Sequence, residues 1–389
     1  MTKSKNQSEI VIYFNDEILI PNGDVGDFAV VACDQFSSMP EYWTELEKVL
    51  PPHSALDYVL PECFLAEADE RIRKIKSSAA ANDRFHAVRG TVAVTRTTMY
   101  GRTRRGIVAS VDLSDYEYAV GNTALIRASE RTIEERIPPR VKIREALDIE
   151  LPHIMLLVDD PENVLFGAVS AAKKTTLYDG ELKGGGGHIK GELIAETTEL
   201  SAAVNRLIEQ STAKYGAPLF ALVGDGNHSL ATAKYCATHH STPLNGRALV
   251  EIVNIYDEGL VFEPIHRLVK VDDPVMFLDS FKSAVKGSAT TTIYAPNPIE
   301  VSVPDDKIEA IKAVDKFCET FVKHFGGSIE YVHGDGALKR DGHFGIKMRG
   351  MEKNELFPAV VYGGVLPKKT FSLGEAEEKR FYVEARRIK

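Results

Sequence analysis

The stretch Leu219 to Ala231 sets the terms for the rest of the chain. Leu219 to Val223 is apolar and reads as a buried strand. Gly224-Asp225-Gly226 breaks it, because glycine accepts backbone angles that other residues avoid. Asn227 then caps a helix carrying Leu230, Ala233, Lys234 and Tyr235. Strand, tight turn and helix follow in thirteen residues. Such a turn offers backbone N–H groups and the positive end of a helix dipole, which suits an anion. It also gathers Asp225, Asn227, His228 and Ser229. A purely structural connection explains the Asp and the Asn; it gives no reason for the histidine.

The chain has 389 residues, enough for two or three domains with a sizeable core. A net charge of −9 argues against general nucleic-acid binding, so no nucleic-acid partner is expected. Four scattered cysteines show neither a disulfide framework nor CxxC metal spacing. With no apolar leader and no run near ~18 apolar residues, a cytoplasmic protein without membrane partner is expected. A small-molecule ligand is expected, and a homo-oligomer is compatible with the sequence.

Before the central stretch, Ile10 to Phe14 reads as a short strand and Phe28 to Cys33 as a better one, ending at Asp34. Strand ends are where α/β proteins place ligand groups, though Asp34 or Ser38 could equally start the next helix. Thr91 to Arg96 and Gly106 to Leu113 alternate as a strand pair, with Arg102, Arg104 and Arg105 at the tip able to grip an anion or lie in solvent. Arg127, Glu130 and Thr132 sit near a helix start at Ser129, with Pro138 and Pro139 ending that helix. The glycines at 184–187 do not follow the phosphate-loop order; they and His188 remain a weak site. After the central helix, Arg247 to Asn254 is a strand of the length that completes a parallel β-α-β unit. His266 and Arg267 interrupt an apolar run and could return to the same site.

These readings give an α/β fold built on a mixed sheet, with a main domain over 1–270. Residues 271–389 read as α+β, with strands at 290–294, 328–332, 342–348 and 358–362.

Gly224 to Ser229, Glu263 to Arg267, Cys33 to Phe36 and Arg104 to Ile107 together resemble the DUF1015 family over most of the chain. The commoner family form of the central motif is Asp-Gly-His-His-Arg; here Asn227, His228 and Ser229 stand in its last three positions, without the arginine. The resemblance implies a ParB-like or sulfiredoxin-like strand–turn–helix–strand core, in which such a turn meets nucleotide phosphates. Some relatives of that fold phosphorylate free serine. Fold alone does not fix function.

The function expected is a nucleotide- or phosphate-binding enzyme acting on a small metabolite, with phosphoryl transfer as the reaction; the alternative is a non-catalytic nucleotide or metabolite sensor. Asp225, His228 and His266 are the catalytic candidates. Gly226, Asn227, Ser229, Arg267, Arg127, Glu130 and Asp34 are the candidates for cofactor binding. Because the Asp225 carboxylate repels phosphate, either Mg²⁺ on Asp225 or one of Arg267 and Arg127 is expected beside it. A nucleotide with Mg²⁺ is the expected cofactor. Zinc, haem and iron–sulfur clusters are not expected, since His228, His239 and His240 lack metal-site spacing.

Overall fold

The computed structural model describes residues 11–37, 39–79, 84–295 and 297–389; Ile10 and Ser38 lie outside them. The chain forms two compact units. The first comprises Met1–Leu260 with Ala376–Lys389, the second Val261–Glu375. The expected boundary near 270 left the tail with the second half, whereas the last fourteen residues pack into the first unit.

The first unit is built on an 11-stranded mixed sheet. Its central strands run in the order Phe85–Thr97, Thr103–Asp112, Arg247–Asn254, Met155–Val158, Ala221–Asp225, Ile126–Ala128. Side chains alternate across it, as strand geometry requires. Val92, Val94, Val108 and Leu249 face a core with Trp43 and Tyr382. Their neighbours Ala93, Ile107, Ala109, Val250 and Ile252 face another, with Phe166, Leu200 and Leu207. With both faces covered, the middle strands are apolar throughout.

Leu219 to Val223 does enter a strand, Ala221–Asp225, with the turn at its carboxyl end. The parallel β-α-β expectation fails. Ala221–Asp225 is antiparallel to Met155–Val158, and Arg247–Asn254 is parallel to it. The two strands therefore run in opposite directions with a third between them, and the length argument holds only for neighbours.

Three local readings are also corrected. Phe28 to Cys33 is not one strand: Asp24 accepts from the Gly26 and Asp27 N–H groups and starts a helix, Val25–Phe28, leaving only Val30–Val31 extended. Pro138 and Pro139 begin the helix Ile137–Ala146 instead of ending one, because first-turn positions need no N–H. Residues 358–362 belong to the helix Lys353–Gly363, whose Glu352–Glu355 capping box outweighs its β-branched residues.

The second unit holds a 6-stranded sheet around Phe262–Lys270. Helices Pro274–Ala284 and Lys307–Phe325 close its core through Phe277, Phe281, Val314 and Phe321. Among the described residues no helix is long and apolar enough to cross a membrane.

Candidate functional site

The turn after Ala221–Asp225 depends on one glycine. Gly226 has φ +79° and occupies the N-cap of the helix Asn227–His239. A Cβ there would lie 2.9 Å from Ile154 Cα on the adjoining chain. Asn227, expected as the cap, is instead the first helical residue, and no side chain caps the helix. The first helical bond runs from Leu230 N–H to Gly226 O at 3.0 Å, so the amides of residues 227–229 precede it. The buried Asn227 Oδ1 has no hydrogen-bond partner among the described residues.

Asp225 Oδ1 accepts the Gly226 N–H at 2.9 Å. Its Oδ2 lies 3.2 Å from the Lys379 ammonium, at an angle that makes this an ion-pair contact and not a hydrogen bond. The cation beside the carboxylate is thus a lysine from the C-terminal segment. Arg127 donates to Ala124 O and Pro218 O, at the opposite end of the strand. Among the described residues no three His, Cys, Asp or Glu side chains gather as a metal site. With an ammonium already against Asp225, the residues present do not fit Mg²⁺ there.

The segment after Ile126–Ala128 flanks the turn. The Ser129 hydroxyl donates to Val223 O, and Glu130 is half-buried in the same segment. His228 Nε2 accepts the Ile133 N–H at 3.1 Å. That nitrogen is therefore an acceptor, and the neutral ring carries its proton on Nδ1.

The structure adds a histidine that sequence reasoning passed over. His153 Nδ1 is 2.9 Å from the Tyr382 hydroxyl, which accepts the Cys33 N–H at 3.2 Å. Where the tyrosine proton goes to Nδ1, the neutral His153 ring carries its own proton on Nε2. Nε2 lies 3.5 Å from Ser229 Oγ and 4.0 Å from Asp34 Oδ1. Asp34 and Ser229, read from separate stretches, thus meet through His153. Burial first, then the Asp34 charge, push the Cys33 thiol up to about 12, so it stays protonated at neutral pH.

His153, Ser229, Thr232 and Tyr382 border a cavity of about 130 Å³. Its walls are mainly apolar, with Leu60, Leu65, Ile143 and Leu147. Two ion pairs are set among them: Arg140 with Glu62 at 3.1 Å, and Arg144 with Glu150. Burial pushes the Glu150 carboxyl upward, but the charges of Arg144 and Arg386 and the Leu249 N–H more than offset this and hold it below its ordinary 4.5.

His266 and Arg267 belong to the second unit. His266 Nδ1 accepts the Met348 N–H at 3.1 Å. Arg267 is fully buried and clasps both Asp315 oxygens at 2.7 and 2.9 Å. At the hairpin tip of the first unit, Arg102 pairs with Glu378, Arg104 with Glu251 and Arg105 with Asp257. These arginines are held by partners within their own unit. His188 pairs with Asp179 on the surface.

The family model described as "Protein of unknown function (DUF1015)" matches residues 16–352. No curated protein matches the chain. Among solved structures, a conserved hypothetical protein from Pyrococcus furiosus aligns at 11% identity and TM-score 0.39, covering 72% of this chain and 95% of its own. A free serine kinase variant in complex with AMP aligns at 10% identity and TM-score 0.42, covering 72% and 91%. SbnI with a C-terminal truncation, from Staphylococcus aureus, aligns at 10% identity and TM-score 0.38, covering 71% and 82%.

Proposed function

The chain belongs to the DUF1015 family, and we propose that it is a nucleotide- or phosphate-binding enzyme that transfers a phosphoryl group to a small metabolite. The observation that carries this reading is that the first turn of Asn227–His239 contributes Ser229 to a cavity that also meets His153. An anion site and an acceptor site then share one helix end. A cavity of about 130 Å³ is below the ~300–1,000 Å³ of pockets that enclose drug-sized ligands. It suits the small acceptor, with the nucleotide outside and its phosphate against the amides of residues 227–229.

In this reading the helix N-terminus and Lys379 offset phosphate charge. The His153 Nε2–H donates to the reacting oxygen, and the Asp34 carboxylate takes the acceptor proton as the new P–O bond forms and the nucleotide leaves. Asp225 and His228 fix the turn from either side. A relation to ParB-like and sulfiredoxin-like folds is part of the same proposal. A non-catalytic sensor is the second reading, favoured by the Lys379–Asp225 pair, which occupies the carboxylate a metal-assisted transfer would use.

Calorimetric titration of ATP, ADP, CTP and GTP, with and without magnesium, tests the binding. Wild type should bind at least one of them, and His228→Ala should weaken it about tenfold by loosening the turn. Unchanged affinity in a natively stable His228→Ala would reduce the turn to a structural connection. Turnover of the bound nucleotide separates enzyme from sensor.

A further inference from the structure

Arg144 lines the cavity from the helix Ile137–Ala146. Its Nη1 donates to Glu150 Oε2. Glu150 Oε1 already accepts from Arg386 Nε at 2.9 Å and from Leu249 N–H at 2.8 Å. One carboxylate thus serves two guanidiniums, Arg144 at the cavity wall and Arg386, which does not line the cavity. Arg140, the other cationic lining residue, pairs with Glu62, which Arg136 also approaches at 3.7 Å. Arg144 Nε and Nη2 are both buried without a hydrogen-bond partner among the described residues. Those two nitrogens form one edge of the guanidinium, the planar fork that grips a carboxylate through two parallel hydrogen bonds. Leaving that edge dry and unpaired is costly.

We propose that the cavity binds a short-chain aliphatic monocarboxylate, its carboxylate on the Nε/Nη2 edge of Arg144 and its carbon chain against Leu60, Leu65, Ile143 and Leu147. The flat fork takes a carboxylate through two parallel hydrogen bonds, and one guanidinium offers a single positive charge to a monoanion. A volume of about 130 Å³ is close to the ~150 Å³ of an apolar cavity that takes up benzene, which suits a chain of a few carbons. Both nitrogens are shielded by the wall, so binding includes a rotamer-scale shift of Arg144. The far end of such an acid would point to Ser229, Thr232 and His153. A hydroxyl carried at that end would be the phosphoryl acceptor, a role that rests on the function proposed above; the binding does not.

The test is titration of the full chain with butyrate and with butyramide, its uncharged counterpart, read by ligand-observed NMR. Wild type should bind butyrate at least tenfold more tightly than butyramide. Arg144→Gln should remove that preference, and Leu65→Trp, which fills the cavity without touching the ion network, should weaken butyrate at least tenfold. Should Arg144→Gln fail to fold, Leu65→Trp and the amide comparison decide. Absent butyrate binding, equal binding of the amide, or full affinity in folded Leu65→Trp would overturn the inference. ATP titrated into the same samples keeps the two ideas apart. Nucleotide binding without butyrate binding rejects the carboxylate site alone. Butyrate binding without nucleotide binding or turnover supports that site and rejects phosphoryl transfer.

Discussion

The Lys379 ammonium lies 3.2 Å from Asp225 Oδ2, with the two side chains only 11% and 14% exposed. A residue near the end of the chain thereby neutralises the carboxylate at the central turn. Pairs this shielded are screened little, and removing one partner strands the other. Lys379→Met should lower stability by roughly 2 kcal/mol, short of the ~3–5 kcal/mol seen for fully buried pairs. Adding Asp225→Asn should recover most of that loss. Urea denaturation of the single and double variants checks it; strictly additive losses would mean the pair is not coupled.

Gly226 and Gly216 separate two costs of replacing glycine. Both have left-handed φ, +79° and +74°, where an L side chain costs ~1–2 kcal/mol. Nothing lies within 4 Å of a Cβ at 216, whereas one at 226 meets Ile154 Cα at 2.9 Å. Gly216→Ala should therefore cost about 1 kcal/mol, and Gly226→Ala roughly 3 kcal/mol, with loss of nucleotide binding. Equal denaturation midpoints would show that the close approach to Ile154 relaxes freely.

What could be read from the sequence was what is local. Gly224 to Ser229 announces its turn because the chain must break a buried run within a few residues. Asp34 stands out in the sequence because a carboxylate closing an apolar run is visible whichever element precedes it. His153, Lys379 and Tyr382 carry no such signal. His153 and Tyr382 are 229 positions apart, and only the return of Ala376–Lys389 to the first unit brings them together. Arg267 shows the converse. A charged residue inside an apolar pattern reads alike whether it lines a site or, as here, clasps a buried aspartate.

His266 should make stability fall with acid. Burial, the largest influence, lowers its pKa below 6.5; Asp335 raises it, while Lys347 and Arg267 add to the lowering. As pH drops through about 6.5 the unfolded chain takes up a proton that the folded one still refuses, so unfolding becomes easier. Protonation at Nδ1 would also break the bond from Met348 N–H. The contribution is complete above about pH 7 and shrinks at up to ~1.4 kcal/mol per pH unit below it. Urea midpoints at pH 5.5 and 7.5 should differ more for wild type than for His266→Gln. Identical differences would assign the acid sensitivity to other groups.

Arg96 holds the C-terminal segment in place. It is 1% exposed, and its Nε and Nη2 donate to Gly186 O at 3.1 and 2.9 Å. Nη1 donates to Glu378 O at 3.3 Å, and further bonds reach the carbonyls of Glu377 and Lys379. The guanidinium also lies 4.6 Å from the Phe381 ring centre. One planar group therefore ties the glycine-rich hairpin loop to the chain that supplies Lys379 and Tyr382. A lysine keeps the charge but cannot span carbonyls on both sides at once. Arg96→Lys should free residues 376–389 from the first unit and cost roughly 3 kcal/mol, from several buried carbonyls left unpaired. Hydrogen exchange should then quicken at Phe381 and Tyr382 while the amides of Ala221–Asp225 stay protected, and the turn should lose anion affinity together with Lys379. Wild-type exchange at both sites in Arg96→Lys would show that the tail is held by its Tyr382 and Arg386 contacts instead.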